Sequence, residues 1–401
     1  MKKILISCQF ASNKGDRAIA EFIISCLKKI PNTSITLSTT EPHLWQNLES
    51  VNVVGFGYKN FLDKIKNSIL GRVLIKIQSL FYSKLVYPRL LSYGNKSKLI
   101  KFLSKDYIEL VKESDLVIVT GGHHITSIRS RNALFSVTYD IGLISIFAKK
   151  YILWSQTIGP IQFDNAKAKA FFYEVLRKAE AIYVRDANSI ECIHNIFPNL
   201  KNIKKSYDSV FGFGGLNYLS YQKRDKKIGI SIFNGLPKAF RLFPDIAKLL
   251  DLFADKGYSI EFFRMEHNDK ELDDINSIVS QMSNKNALIK IFPFQTSTID
   301  HLNEVATCRF FIGYKTHSVI MALSTSTPLL AICYHQKTYD FMQDYGMEMY
   351  AVDDEKFDLK KTLTIIELLI QNKDDVYKAI NLKSKKIADR VLSDFSSEIE
   401  G

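Results

Sequence analysis

Two neighbouring turns of this chain contain the cationic side chains best suited to bind an anion. Lys315 and His317 follow the largely apolar run Cys308–Gly313, and Lys337 follows the apolar run Pro328–Cys333. Continuous apolar runs of this length are typical of parallel strands that are buried on both faces. Ligands of parallel α/β sheets bind at the carboxyl ends of the strands, where the N-termini of the following helices also attract negative charge. The two turns therefore predict a site for a carboxylate or a phosphate.

A second group of candidate residues lies where the first predicted strand, Lys3–Gln9, meets a helix. Asn13 and Gly15 allow a tight approach of the backbone there, and Asp16 supplies a carboxylate beside the helix start. Aspartate is also a favoured residue for capping a helix. The sequence leaves both roles of Asp16 open, substrate binding and capping.

Glycines follow another apolar strand, which ends at Thr120. Gly121 and Gly122 let backbone N–H groups approach a ligand, and His123 comes directly after them. The adjacent histidines at positions 123 and 124 point in different directions, and no acid lies at helical spacing from them. We therefore predict no metal site here.

Two more strand ends supply charged side chains. Arg185 ends the predicted strand Ala181–Arg185, where a guanidinium group suits a carboxylate or phosphate. A local ion pair with Asp186 is the alternative interpretation. Glu266 and Asp269 lie in the loop after a later strand and face the same edge of the predicted sheet.

The chain is long enough for two domains and has the composition of a soluble globular protein. Its 401 residues exceed one ordinary core, and it is 46% apolar and 24% charged. No apolar run reaches the roughly 20 residues of a membrane-spanning helix. Polar residues follow the basic start Met1–Cys8 at once, which favours a first strand over a signal peptide and predicts a cytoplasmic protein. Five scattered cysteines without metal or redox spacing predict free thiols.

The net charge of +12 is unevenly distributed along the chain. Between Lys59 and Lys105 we count eleven basic residues and a single acid, Asp63, together with apolar residues at helical spacing. A basic amphipathic helix fits an anionic membrane surface or a lipid-diphosphate-linked substrate, and an ordinary helix packed on the core is the alternative. No zinc module, aromatic RNA-binding motif or helix-turn-helix pattern accompanies the charge, so we do not expect nucleic acid as a partner.

These elements predict an α/β protein of two domains with mostly parallel sheets that face a central cleft. The first domain comprises residues 1–215 and contains the basic helical insertion 59–105, and the second comprises residues 226–375. A glycine-rich and then charged linker separates them. We expect the final helix, residues 376–401, to pack back on the first domain.

The order of the turn motifs resembles that of one known family. The motifs are Asn13-x-Gly15-Asp16, Asp115…Thr120-Gly121-Gly122, Gln156-x-Ile158-Gly159-Pro160, Val184-Arg185-Asp186-x-x-Ser189, Gly313-x-Lys315-x-His317 and Pro328…Tyr334-x-x-Lys337. In this order they resemble the polysaccharide pyruvyl transferase family, from about Ile4 to about Gly346. The resemblance implies a GT-B-like fold of two Rossmann-type domains. It also implies transfer of the enolpyruvyl group of phosphoenolpyruvate onto two hydroxyls of a sugar, giving a pyruvate ketal and phosphate.

The family resemblance and the residue chemistry suggest the same roles. His317 fits the general acid that protonates the methylene carbon of the donor. Arg185 and Lys337 are expected to hold the donor's acid groups, and no separate cofactor is implied. We expect these three residues to meet around one small acid in the groove that joins the two halves.

The remaining candidates are assigned to substrate binding. Asp16, Glu266 or Asp269 would orient or deprotonate an acceptor hydroxyl. The other members of this set are Asn13, Gly15, Gly121, Gly122, His123 and Lys315. The resemblance also implies that the acceptor belongs to a capsule, exopolysaccharide or cell-wall glycan, often on a lipid carrier. We therefore expect the enzyme at the inner face of the membrane.

Two positions depart from the family pattern. Lys315 stands where the family usually has arginine, so the charge is kept but a bidentate contact is lost. His123 and His124 follow a glycine turn that is usually longer in glycine, and they would narrow the pocket or add a contact to the acceptor.

Two other functions remain open at this stage. A GT-B glycosyltransferase that uses a nucleotide sugar would need a diphosphate site and a ribose-binding carboxylate in the second domain, for which Glu304 and the Lys315 turn are the candidates. A membrane-associated scaffold of a polysaccharide assembly complex would use the basic segment 59–105 and a degenerate cleft.

Overall fold

The structure of the chain, a computed structural model, divides into two compact units. Unit 1 comprises Met1–Ala11 and Ile23–Tyr207, and unit 2 comprises Ser12–Phe22 and Asp208–Gly401. The structure describes residues 1–8, 12–45, 48–55, 104–128, 140–163, 165–215, 221–233, 235 and 237–400, and separate residues between 70 and 89. The N-terminal motif at residues 12–22 therefore groups with unit 2, although the sequence-based domain of residues 1–215 includes it.

Unit 1 is built on a seven-stranded parallel sheet. Its strands are β1 (Lys2–Cys8), β2 (Thr33–Thr39), β3 (Val51–Gly55), β4 (Leu116–Ile125), β5 (Tyr151–Ile158), β6 (Ala181–Val184) and β7 (Ile203–Lys205). Their order in the sheet is β3-β2-β1-β4-β5-β6-β7, and all pairs are parallel. All eight residues of β5 are buried, which explains its continuous apolar run. The strand order reverses between β1 and β4, as in Rossmann-type sheets.

The helices of unit 1 follow its strands. Those described in full are α1 (Lys14–Leu27), whose first nine residues belong to unit 2, α2 (Lys105–Glu113), α3 (Ala166–Lys178) and α4 (Ala187–Ile196). Residues 140–147 are also helical. Ser104, Asn165 and Asp186 cap α2, α3 and α4 with their side chains.

Unit 2 repeats the same architecture with six parallel strands. They are β8 (Lys227–Ser231), β9 (Ser259–Phe263), β10 (Ile289–Phe292), β11 (Phe310–Gly313), β12 (Leu329–Cys333) and β13 (Ala351–Asp353). Their order is β10-β9-β8-β11-β12-β13, which reverses between β8 and β11. The sequence-based prediction of two Rossmann-type domains with parallel sheets is confirmed.

Seven helices complete the described part of unit 2. They are α5 (Phe243–Asp255), α6 (Asp269–Gln281), α7 (Thr298–Thr307), α8 (Thr316–Ser324), α9 (Gln336–Asp344), α10 (Leu359–Gln371) and α11 (Lys373–Glu400). Side chains of Asn268, Ser297 and Asp358 cap α6, α7 and α10. The residues that precede α8 and α9 are Lys315 and His335, and neither makes a capping hydrogen bond through its side chain. The first N–H groups of α8 and α9 are therefore not capped by the residue that precedes the helix.

The last helix, α11, packs within unit 2. The Phe395 ring meets Phe22 edge to face at 5.8 Å. The Ser384 hydroxyl donates a hydrogen bond to the Leu323 carbonyl at 2.7 Å, which attaches α11 to α8. Packing of residues 376–401 on the first domain stays a prediction.

The basic helix predicted between Lys59 and Lys105 lies almost wholly outside the described residues. Of the residues described within it, Leu70, Val73 and Ile77 have helical backbone and are 67%, 52% and 56% exposed, whereas Val86 is fully buried in the core of unit 1. Among the helices that the structure describes, none is both long enough and apolar enough to cross a bilayer. The described cysteines Cys26, Cys192, Cys308 and Cys333 are free thiols.

Candidate active site

The turn between β11 and α8 lies at the reversal point of the unit 2 sheet. A side chain at Gly313 would come within 2.7 Å of Val319, so glycine allows α8 to approach the end of β11. The Ser318 hydroxyl donates to the Lys315 carbonyl at 2.7 Å, and the Tyr314 N–H donates to Ser231 at 3.2 Å. These contacts fix the turn that presents His317.

His317 faces a buried carboxylate that the sequence analysis did not select. Its Nε2 lies 3.6 Å from Asp208 Oδ2, and the His317 side chain is 16% exposed whereas Asp208 is fully buried. Asp208 is itself held in place, because its Oδ1 accepts a hydrogen bond from the Val210 N–H at 3.0 Å. A buried acid in this position orients an imidazole.

Gly15 packs directly on the ring of His317. A Cβ atom at position 15 would lie 2.0 Å from His317 Cγ and 2.1 Å from Nδ1, which no side chain can occupy. The requirement for glycine is thus steric. The expectation that Gly15 allows a close approach is confirmed, and the group that approaches is the histidine itself.

The N-terminal motif is held against the loop after β9. The Lys14 N–H donates to the Met265 carbonyl at 2.9 Å, and the His267 N–H donates to the Ser12 carbonyl at 2.8 Å. Asn13 forms a bridge with Glu266 at the same place. These pairings bring the residues around position 13 next to the loop that contains Glu266, a contact that the sequence analysis did not predict.

Asn13, and not Asp16, caps the first helix. Asn13 Oδ1 accepts hydrogen bonds from the N–H groups of Gly15 at 2.9 Å and of Asp16 at 3.3 Å. Asp16 lies inside the first turn of α1 and is half-buried. The capping interpretation of Asp16 is therefore wrong. The helix begins at Lys14, and the residue that caps it is Asn13, three positions before Asp16.

Lys315 forms ion pairs with two carboxylates. Its Nζ lies 2.8 Å from Glu266 Oε1 and 3.2 Å from Glu271 Oε1, and all three side chains are largely buried. Burial opposes ionisation of Glu266, but attraction and a hydrogen bond from Lys315, together with a hydrogen bond from Asn268, outweigh it, so the pKa of Glu266 lies below its ordinary value. Glu266 is thus a stable carboxylate that accepts hydrogen bonds.

Glu271 organises the loop around Lys315. It is fully buried in α6 and accepts hydrogen bonds from the N–H groups of Met265 at 3.0 Å and Glu266 at 2.9 Å. Lys315 therefore has a positioning role in this structure, while its predicted contact with substrate stays a prediction. Asp269 is exposed in the first turn of the same helix.

Lys337 lies on the turn next to that of His317. The hydroxyls of Thr316 and Thr338 form a buried hydrogen bond of 2.7 Å, which connects the first turn of α8 to that of α9. Each of the two catalytic candidates is adjacent in sequence to one of these threonines. The structure thus places His317 and Lys337 on neighbouring helix starts at one edge of the unit 2 sheet.

Arg185 belongs to unit 1 and is buried at the end of β6. Its Nε donates to Thr157 Oγ1 at 2.8 Å, and Thr157 donates in turn to Asp186 Oδ2 at 3.0 Å. Asp186 also accepts two hydrogen bonds from Ser189 at the start of α4. Thr157 thus connects Arg185 to Asp186, and the meeting of Arg185 with His317 and Lys337 stays a prediction.

Gly121 and Gly122 lie inside β4, which continues to Ile125, so the prediction that the strand ends here is wrong. The pair has a packing role that the sequence analysis did not anticipate. A Cβ at Gly121 would lie 1.7 Å from the Ser155 carbonyl oxygen, and Gly122 has a φ of +147°. The exposed His123 makes a hydrogen bond of 2.7 Å from Nε2 to the Gly159 carbonyl. The predicted contacts of these residues with substrate stay predictions.

The described residues contain no group of three or more histidine, cysteine, aspartate or glutamate side chains that could hold a metal ion. The edge of unit 2 described above carries an imidazole, two lysines and carboxylates.

Comparison with known proteins identifies the family. Residues 13–336 match the sequence model of the polysaccharide pyruvyl transferase family. The chain belongs to this family. The match begins at Asn13 and ends one residue before Lys337, so it includes both the N-terminal motif and the His317 turn.

The chain is also similar to a curated protein of polysaccharide biosynthesis. It is 21% identical over 386 residues to the amylovoran biosynthesis protein AmsJ of Erwinia amylovora, and the alignment covers 88% of each chain.

Similar solved structures share the GT-B fold. The structure of MnaA from S. aureus with UDP is 11% identical to this chain, with a TM-score of 0.59. The alignment covers 100% of this chain and 97% of the MnaA chain. The UDP-GlcNAc 2-epimerase of Methanocaldococcus jannaschii has a TM-score of 0.56 at 12% identity, and the alignment covers 93% of this chain and 94% of the epimerase chain. The spinosyn rhamnosyltransferase SpnG with thymidine diphosphate has a TM-score of 0.51 at 10% identity and covers both chains fully. At these identities the similarity shows the fold alone.

Proposed function

We propose that this protein transfers the enolpyruvyl group of phosphoenolpyruvate onto two hydroxyls of a sugar, forming a pyruvate ketal and releasing phosphate. The acceptor would be a surface polysaccharide or its lipid-linked precursor, and the similarity to an amylovoran biosynthesis protein supports this class. The observation on which the proposal depends is the family match over residues 13–336, within which His317 lies against Gly15 and Asp208.

The donor is a small anion with both a carboxylate and a phosphate, so several cationic groups are needed to bind it. Lys337 at the start of α9 and the N-termini of α8 and α9 supply positive charge at one sheet edge. Arg185 is our proposal for a further cation, since a guanidinium group binds such oxygens in pairs. The two carboxylates beside Lys315 offset its charge, and Lys337 is our proposed donor ligand.

The reaction needs a proton at the methylene carbon of the donor. In the proposed step the His317 imidazolium gives its proton to that carbon, which becomes a methyl group, while the adjacent carbon becomes an oxocarbenium-like centre. One sugar hydroxyl attacks this centre and loses its proton. Phosphate then leaves with the C–O bond electrons, and the second hydroxyl attacks in the same way to close the ketal.

His317 is held for this step from two sides. Gly15 limits the movement of the ring, and the buried Asp208 carboxylate faces its Nε2 atom. Asp16, Glu266 and Asp269 remain the proposed partners of the acceptor hydroxyls. The lowered pKa of Glu266 makes it a weak base, so orientation of a hydroxyl is the role that suits it.

The glycosyltransferase alternative loses its candidate for a ribose-binding carboxylate. Glu304 and Glu261 both pair with Lys227. Lys227 is the first residue of β8, so this cluster lies at the amino-terminal edge of the sheet, whereas nucleotides bind at the carboxyl ends of such strands.

The donor assignment can be tested by thermal stabilisation and phosphate release. We expect phosphoenolpyruvate to raise the melting temperature of the wild type more than nucleotide sugars do. We expect His317→Ala to lose roughly 10²- to 10⁴-fold in turnover while it keeps part of the donor-induced stabilisation. Asp208→Asn keeps the hydrogen bond to Val210 and removes only the charge, so it should lower turnover by about tenfold or more with the donor KM little changed.

Two outcomes would contradict this proposal. Stabilisation by nucleotide sugars alone would make the donor assignment wrong. Equal turnover in His317→Ala and the wild type would remove His317 from the mechanism.

A further inference from the structure

Unit 2 contains a cavity of about 460 Å³ that none of the predicted site residues explains. It lies at the carboxyl ends of β12 and β13, beside the first turn of α9. Its lining includes Tyr334, Gln336, Tyr339, Asp353, Asp354 and Glu355. The volume falls within the roughly 300–1,000 Å³ that is usual for small-molecule sites.

The charge of this cavity is opposite to that expected for a donor site. Asp353, Asp354 and Glu355 are consecutive acids on one side of it. Asp354 is 3% exposed and accepts a hydrogen bond from the Tyr314 hydroxyl at 3.2 Å, which fixes this segment, and its two neighbours are exposed. Carboxylates only accept hydrogen bonds and repel phosphates, so the cavity favours a ligand rich in hydroxyl groups over an anionic one.

Aromatic rings form the other part of the lining. Tyr334 stacks on Phe233 with the ring centroids 3.9 Å apart and an angle of 19° between the planes, which fixes its orientation. Tyr339 presents a ring that is 37% exposed. The C–H groups of a sugar face carry a slight positive charge and pack well on the negative face of such a ring.

A metal ion is a less suitable occupant. Although three acids are consecutive here, no group of described side chains has an arrangement that could hold a metal. The aromatic rings match the apolar faces of a pyranose, and the carboxylates match the hydroxyls on its rim.

We propose that this cavity binds a sugar ring of the acceptor glycan; this inference rests on the proposed pyruvyltransferase function. Gln336 and Tyr339 lie three residues apart on one face of α9, and Lys337 lies on the neighbouring face of the same turn. A sugar in the cavity is therefore next to the helix start that is proposed to hold the donor. The Tyr339 ring stacks on the sugar, and Asp353 and Glu355 accept hydrogen bonds from the hydroxyls of the sugar.

Saturation-transfer NMR with simple glycosides tests the cavity directly. The probes are methyl glycosides of galactose, glucose, mannose and N-acetylated hexosamines, added to the full-length protein. We expect ring protons of at least one probe to receive saturation from the wild type. We expect Tyr339→Ala and Glu355→Gln to weaken that binding, together by about tenfold, through lost stacking and a lost hydrogen-bond acceptor.

Matched variants separate the cavity from general effects on α9. Tyr339→Phe keeps the ring and should retain most of the binding. Gln343→Ala changes an exposed residue of the same helix outside the cavity and should have no effect. Absence of saturation for every glycoside, or equal saturation in Tyr339→Ala and the wild type, would overturn the proposal.

Donor stabilisation measured on the same samples separates this inference from the proposed function. If phosphoenolpyruvate still raises the melting temperature but no glycoside binds, only the sugar site is wrong. If glycosides bind as expected but phosphoenolpyruvate has no effect on the wild type, the sugar site stands and the donor assignment fails.

Discussion

His317 is held by residues that lie about 100 and 300 positions away from it in the sequence. Asp208 faces its Nε2 atom, and the backbone of Gly15 covers the opposite part of the ring. An imidazole held in this way has little freedom to turn. For a general acid this matters, because proton transfer to carbon requires one fixed direction of approach.

Substitution of Gly15 tests this arrangement at the scale of one residue. Gly15→Ala places a methyl group about where the His317 ring lies, so the ring must turn away from its position. We expect turnover to fall by roughly 10²-fold or more while the fold is kept. Phosphate release, with circular dichroism as a check of folding, measures this.

Gly55→Ala is the matched control for that substitution. Nothing lies within 4 Å of a Cβ atom built at position 55, so this variant should keep wild-type turnover. Wild-type turnover in Gly15→Ala as well would mean that the contact with His317 has no part in catalysis.

At the scale of elements, a buried lysine holds the first turn of α1, which belongs to unit 2. Lys14 is fully buried, and its Nζ donates to the carbonyls of Phe294 at 3.0 Å and Thr296 at 2.5 Å. Burial, only partly offset by Glu21, lowers the pKa of Lys14 from 10.5 to about 8. The ammonium group thus fixes the first turn of α1, and Gly15 with it, at a cost in desolvation.

This lowered pKa predicts a pH dependence of stability. Between about pH 8 and pH 10.5 the unfolded chain binds the Lys14 proton and the folded chain does not, so the free energy of unfolding rises with pH in that interval. This contribution of Lys14 is fully present above pH 10.5 and has been lost once the pH falls through about 8. Relative to Lys14→Met, we expect the wild type to gain up to about 3 kcal/mol in the free energy of unfolding across the interval. Urea unfolding at several pH values measures this gain.

Lys28→Met provides the control for that measurement, since Lys28 is exposed just beyond the end of α1. Its difference from the wild type should not change with pH. A pH-independent difference for Lys14→Met would show that Lys14 keeps its ordinary pKa in the folded chain.

The helix starts at the proposed donor site differ from others in the protein. Side chains of Asp186, Asn268 and Ser297 cap their helices. The residues that precede α8 and α9, Lys315 and His335, make no such bond. A side-chain cap would compete with a ligand for the first N–H groups. Helix α5 also starts without a side-chain cap, after Leu242, so an open helix start does not by itself mark an anion site. At α8 and α9 the open starts coincide with the proposed donor ligand Lys337.

At the scale of the whole molecule, the charge is concentrated in one segment of a two-unit GT-B protein. Eleven basic residues and one acid lie between Lys59 and Lys105. Of the described residues within this segment, Leu70, Val73 and Ile77 are exposed, whereas Val86 is buried in the core of unit 1. We propose that this segment binds an anionic membrane surface and keeps the enzyme close to a lipid-linked acceptor. Basic residues near such a surface each contribute about 1 kcal/mol of attraction.

Vesicle flotation tests the membrane proposal. We expect binding to phosphatidylserine vesicles at low salt and loss of binding in roughly 1 M salt, where the Debye length falls to about 3 Å. Replacement of Lys64, Lys66 and Lys76 by glutamine should weaken binding, whereas the same change at Lys356, Lys360 and Lys361, exposed in unit 2, should not. Equal flotation with neutral and anionic vesicles, or none at low salt, would end the proposal.

The sequence alone predicted most of the strands, the two Rossmann-type sheets and the positions of Lys315, His317 and Lys337 at strand ends, but not the short strands β7 and β13. These features depend on local periodicity and on the rule that parallel strands present their carboxyl ends together. Only the tertiary structure decided which residues surround them. The contacts of His317 with Asp208, of Lys315 with Glu271 and of Lys14 with the Phe294 carbonyl join segments far apart in the chain. Such contacts follow from how helices and loops pack on the sheet, and a buried lysine or glutamate has the same local pattern in sequence as one exposed to solvent.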